Sequence, residues 1–93
     1  MLIYVVKVKI RMGWVHSLKE KRMVVKSICA KLKNKFNVSV AEVEEQDVHQ
    51  TAVIAYTYIA CNRAQGDSIY ENTMNYLEEN TDGEIIHVDH QIY

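Results

Sequence analysis

The sequence predicts an α+β sandwich of ferredoxin-like topology, β-α-β-β-α-β, with a four-stranded antiparallel sheet and both helices on one face. Three observations predict it. Strand-like apolar stretches at residues 1–12 and 51–62 are each followed by a helical stretch, 17–36 and 64–80. Shorter strand-like stretches at 38–45 and 83–93 complete two β-α-β halves of similar length. Across the 93 residues there is no proline and no Gly/Ser-rich linker, so one domain spans 1–93.

The first strand, Met1 to Met12, alternates. Leu2, Tyr4, Val6, Val8, Ile10 and Met12 fall on one face, and Ile3, Val5, Lys7, Lys9 and Arg11 on the other. That period of two predicts a half-buried strand packed on the helices through its first set. Gly13 to His16 forms the connection, with Gly13 permitting a tight turn and Trp14 covering a core edge or anchoring a partner.

Ser17 to Phe36, SLKEKRMVVKSICAKLKNKF, reads as an amphipathic helix. Ser17 and Glu20 make a capping box, in which the hydroxyl takes an orphan amide and the carboxylate reaches back to the cap amide. Leu18, Val25, Ile28, Leu32 and Phe36 form the apolar stripe, widened by Val24 and Cys29. Lys19, Lys21, Arg22, Lys26, Lys31, Lys33 and Lys35 cover the rest, against the single Glu20. Such a face predicts an anion-binding surface, with a phosphate at the helix N-terminus as one form of it. A solvated face that only keeps the domain soluble is the plainer alternative.

Val38 to Glu45 is the second strand, with Val38 and Val40 inward, a bulge or a short strand expected where Val43 breaks the alternation, and Glu42, Glu44 and Glu45 in solvent. Thr51 to Asn62 is the third, apolar on both faces as central strands are. Its expected helix-facing set is Val53, Ala55, Thr57 and Ile59, which leaves Ile54, Tyr56 and Tyr58 on the open face. Ala64 to Asn80 is the second helix, packed through Ile69, Thr73, Leu77 and Met74 or Tyr76, with Glu71, Glu78 and Glu79 outward. After the Thr81-Asp82-Gly83 turn, the last strand runs to Tyr93 with Ile86 and Val88 inward.

Net charge is −1, but the halves differ: ten cations against one acid give +9 over residues 1–36, and one cation against eleven acids gives −10 over 37–93. Such a split predicts a polyanion-facing surface, head-to-tail association, or cancellation within the fold. No apolar run spans a bilayer, and Lys7, Lys9 and Arg11 interrupt any signal-peptide pattern, so the expectation is a cytoplasmic protein with no membrane role. Cys29 and Cys61 read as small buried hydrophobes rather than a disulfide pair. His16, His49, His87 and His90 are dispersed, and a zinc ion needs three or four converging ligands, so no metal or cofactor is expected.

SLKEKR within Gly13–Arg22, FNVSVAEV at Phe36–Val43 and the following Gln46-Asp47 together resemble the YlxP-like family, domain of unknown function 503, small bacterial proteins. The resemblance runs from the first strand through the third. It implies the same ferredoxin-like fold and supplies no activity. The family's genes commonly neighbour those of translation initiation and ribosome maturation, which implies a place near the ribosome. This chain departs from the family pattern with His49 where Trp is usual and Ala55 where Gly is common.

Two function classes follow. The first is a non-enzymatic module that binds ribosomal RNA or a ribosomal particle, with Lys7, Lys9, Arg11, Lys19, Lys21, Arg22, Lys26 and Lys33 contacting phosphates. The second is a homo-oligomeric protein-interaction module joined through an open face of Ile3, Val5, Ile54, Tyr56 and Tyr58. An enzyme is not expected. Acylphosphatases share the fold class, but their phosphate loop after the first strand carries an arginine, and GWVHS here has none.

Overall fold

The computed structural model describes residues 1–93. The elements are β1 (Leu2–Arg11), α1 (Leu18–Lys35), β2 (Ser39–Glu44), β3 (Thr51–Ala60), α2 (Arg63–Asn80) and β4 (Glu84–Ile92). The strands form one antiparallel sheet in the order β2-β3-β1-β4, with β1 and β3 central as the ferredoxin-like pattern requires. Both helices pack on one face, and no helix is long and apolar enough to cross a membrane.

Each helix starts where a side chain can take its orphan amides. Ser17 Oγ accepts from Glu20 N at 3.1 Å, and Asn62 Oδ1 accepts from Gln65 N at 2.9 Å. The Glu20 carboxylate reaches one residue past the cap, accepting from His16 N at 3.3 Å, rather than bonding the cap amide itself. The second helix begins at Arg63, one residue before the pattern places it.

The core lies between the helices and the inner sheet face. Tyr4, Val6, Val8, Ile10 and Met12 are fully buried there, as the alternation of β1 predicts. On β3 the facing is opposite to the sequence expectation. Ile54, Tyr56 and Tyr58 point into the helix layer and are at most 5 % exposed. Opposed residues of an antiparallel pair share a face, and the register pairs Tyr4 with Tyr58, Val6 with Tyr56 and Val8 with Ile54. These three therefore leave the open-face interface, while Ile3 and Val5 stay on it.

The buried phenols have partners that only this packing supplies. Tyr4 donates to Asp67 Oδ1 at 2.7 Å, Tyr58 to the Gly66 carbonyl at 2.9 Å, and Tyr56 shares a 2.7 Å bond with Thr73. The Tyr4 and Tyr58 rings stack at 5.1 Å. Gly66 is required here, because a Cβ on it would sit 2.1 Å from Tyr4 Cε1.

The edges carry the irregularities. A bulge is present at Val43: Glu42 pairs with Ile54 and Glu44 with Val53. A second bulge lies in β4, where Lys9 pairs with His87 and Ile10 with Ile85. That extra residue turns Ile86 outward, 42 % exposed, and brings Ile85 against the core, reversing the expected facing of both. Cys61 is also exposed rather than buried, while Cys29 is half-buried and burial raises its thiol pKa.

Candidate nucleic-acid interface

The structure divides the ten N-terminal cations into two groups. Four are consumed by carboxylates that the topology brings to them. Lys7 meets Glu44 at 2.6 Å, Lys9 meets Glu45 at 2.9 Å and Arg11 meets Glu84 at 2.7 Å, all on the open sheet face or its rim. Glu84 lies on β4 beside β1, and Glu44 and Glu45 lie at and just after the end of β2, across β3 from β1, so strand order and register together bring the acidic second half to the basic first strand. The hydrogen bond that Lys7 donates to Glu44 raises the Lys7 pKa, and the Lys9 and Thr51 bonds hold the Glu45 carboxyl below its ordinary range. The basic half of the sheet is thereby neutralised and offers no free cationic platform.

Lys21 is the fourth. It follows Leu18 by three residues and precedes Val25 by four, so it falls on the inward stripe of α1. It is fully buried. Its ammonium lies 3.1 Å from Glu42 Oε2 and donates to the Glu45 backbone carbonyl. Glu45 adopts φ 56°, a left-handed conformation uncommon outside glycine, and the Lys21 contact, Lys9 and Thr51 all fix that turn. Lys21 is thus withdrawn from the exposed basic face, and Glu42, 18 % exposed at its side chain, is its partner rather than a solvent-facing acid.

The remaining six, Lys19, Arg22, Lys26, Lys31, Lys33 and Lys35, are all exposed on α1 and none is in an ion pair. Residues advance about 100° around a helix, which sets Lys19, Arg22, Lys26 and Lys33 within one stripe on the solvent side. Lys31 leans toward the other helix and donates to the Asn80 carbonyl at 3.4 Å. The opposite helix is acidic, with Glu71, Glu78 and Glu79 exposed and unpaired. The charge asymmetry of the sequence therefore survives most visibly as a contrast between two helix faces, with Asp47, Asp82 and Asp89 as further exposed acids in no ion pair.

At the N-terminus of α1 the Ser17 hydroxyl takes the Glu20 amide, and the Glu20 carboxylate, bonded to the His16 amide ahead of the helix, places negative charge at the positive end of the dipole, which disfavours a phosphate there. The residues that sequence reasoning does not single out lie beside the stripe. Met23, 66 % exposed, sits between Lys19 and Lys26 on the helix surface and lines a groove with Trp14, 43 % exposed. Its available signal is an apolar residue off the apolar stripe. No cluster of three or more potential metal ligands is present.

Comparison with known proteins agrees with the fold and leaves activity open. The family description "Protein of unknown function (DUF503)" matches residues 3–90. The uncharacterized protein YlxP of Bacillus subtilis (strain 168) is 34 % identical over 62 residues, 67 % of each chain. The de novo designed protein Foldit4 superposes with a TM-score of 0.50 over 99 % of this chain and 94 % of its own at 10 % identity, a likeness of fold alone.

Proposed function

The chain belongs to the DUF503 family, and from that premise we propose that it is a non-enzymatic module that binds RNA through the outer face of α1. One observation carries the reading. Lys7, Lys9, Arg11, Lys21 and Arg63 are in ion pairs, and the six cations that are in none share a single helix. The 18 residues of α1 extend about 27 Å, and the four-residue stripe from Lys19 to Lys33 covers about 21 Å of it. Side chains of this type contact phosphates and supply affinity without sequence information. The acidic outer face of α2 repels the same polyanion, so the two helices orient it onto α1. The gene neighbourhood implied by the family resemblance makes ribosomal RNA and ribosomal particles the first ligands to try.

The test is RNA binding across a salt series, by anisotropy and by co-sedimentation with ribosomes. Log affinity falls with log salt by about 0.7 for each phosphate neutralised on a single strand. Replacing Lys19, Arg22, Lys26 and Lys33 with alanine should flatten the slope by roughly 3. Lys7→Ala and Lys9→Ala should leave it unchanged. Binding that ignores salt, or that the quadruple variant retains, contradicts the proposal.

A homo-oligomer through the open sheet face is the second reading, and a specific cluster favours it. Ile59 pairs with Ile3, whose backbone exchanges two hydrogen bonds with Tyr93, and Val5 lies one row along. Ile3, Val5, Ile59 and Tyr93 are between 36 and 66 % exposed, an apolar end to a sheet face whose other end is ion-paired. Light scattering of wild type and Ile59→Asp decides it: a monomeric wild type removes the interface.

A further inference from the structure

We infer that the groove between Trp14 and the C-terminal end of α2 receives an unpaired nucleobase of the RNA whose phosphates the α1 stripe contacts. The inference rests on the RNA reading above and specifies its ligand as single-stranded rather than duplex.

The groove has the two kinds of wall that a base requires. Trp14 and Met23 offer apolar surface, and Ser27, Lys31, Asn80 and Asp82 offer polar groups around it. Aromatic side chains stack bases of any sequence, while polar edges meet their donors and acceptors. Trp14 is held in a fixed loop. Val15 beside it is fully buried and its amide donates to the Met12 carbonyl at 3.1 Å. Gln50 Nε2 donates to the carbonyls of Gly13 and Val15, each at 3.1 Å, so both neighbours of Trp14 are tied to the β2–β3 connection. A ring presented this way loses little freedom on binding.

Charge decides which part of the ligand enters. Lys19 and Lys26 flank Met23 on the helix surface, so the cationic stripe runs along the groove's rim. Asp82 and Lys31 both line the groove and neither is in an ion pair, so the groove is balanced in charge where the stripe is purely cationic, and the Asp82 carboxylate is free to accept from the amino and imino groups of a base. Phosphates on the stripe with bases turned over Met23 toward Trp14 satisfy both. A duplex keeps its bases stacked on one another and cannot present one to the groove.

Trp14 is the only tryptophan, so intrinsic fluorescence reads the site directly. The experiment titrates the full chain with a single-stranded oligoribonucleotide and with a blunt RNA duplex, and measures labelled-RNA anisotropy for wild type, Trp14→Ala and Trp14→Phe. The single strand should quench Trp14 to saturation and bind more tightly than the duplex. Trp14→Ala should weaken single-strand binding by roughly 5- to 150-fold, the equivalent of one base–aromatic stack. The salt slope should stay the same, and Trp14→Phe should retain most of the affinity. Salt-sensitive binding with unmoved fluorescence, or an undiminished Trp14→Ala affinity, overturns the base site and leaves the basic face standing. Absence of binding to either RNA at low salt overturns both.

Discussion

Replacing Lys21 with methionine tests the division of the cations that underlies the functional reading. Methionine keeps the length and apolar stem of the side chain and removes only the ammonium. At 3.1 Å from Glu42 Oε2, the attraction is about 5 kcal/mol at an effective dielectric of about 20. Most of it offsets the desolvation of the two charges, so the intact pair is weak evidence of net stability. Losing one partner is different. Glu42 Oε2 has no other hydrogen-bond partner, and the Glu45 carbonyl loses its donor as well. A broken buried pair costs about 3–5 kcal/mol; because Glu42 keeps 18 % exposure and water can reach it, about 3 kcal/mol is expected here. In a domain of this size that lowers Tm by roughly 12–24 °C. Thermal and urea unfolding followed by circular dichroism measure both quantities. Adding Glu42→Leu to Lys21→Met should recover about 2 kcal/mol, since an apolar pair replaces the stranded acid. Lys19→Met should change stability by no more than about 0.5 kcal/mol while weakening RNA binding. A Lys21→Met cost below about 1 kcal/mol, or a loss of RNA binding where the variant is still folded, refutes the assignment of Lys21 to the interior.

Two further predictions follow from the tyrosine layer. Gly66→Ala should destabilise by about 1–3 kcal/mol through overpacking against Tyr4, although alanine is the better helix former; Gly13→Ala, whose Cβ would meet nothing within 4 Å, should be near neutral. Urea midpoints of the two variants check the contrast, and equal effects would contradict the close packing of α2 on β1. Burial pushes the Tyr56 phenol up to about 12 and raises Tyr4 and Tyr58 in the same direction. Each neutral phenol therefore contributes stability that is complete below the ordinary tyrosine pKa of about 10 and is lost as pH climbs toward the folded value. Phenolate absorbance from Tyr4, Tyr56 and Tyr58 should appear only together with alkaline unfolding seen by circular dichroism, and ionisation of these three rings ahead of unfolding would show them to be in solvent.

What was legible varied with how one-sided each segment is. β1 alternates apolar and charged residues, so its facing could be read directly, and the buried set matches it from Tyr4 to Met12. β3 is apolar on both faces, so its period of two carries no polarity, and small residues at Ala55 and Thr57 suggested a close helix approach that in fact occurs on the tyrosine side. An inward tyrosine needs a partner for its hydroxyl. Those partners, Asp67, Gly66 and Thr73, come from α2 and appear only once the helix is docked. The bulge in β4 shifted one residue and with it two facings, a change that no pattern in EIIHVDHQI announces.

The sequence by itself determined the element order, the capped basic helix, the central pair of strands and the excess of positive charge in the first half, because each rests on local spacing or composition. Only the tertiary structure decided which of those charges remain available. Lys7, Lys9 and Arg11 look like Lys19 and Arg22 in a linear reading. Antiparallel register sets the first three against acids that lie at least 36 residues away in the chain, and the helical period turns Lys21 inward onto Glu42. Ion pairing depends on distances of a few ångströms between segments far apart in sequence, so the free cationic surface is a property of the fold.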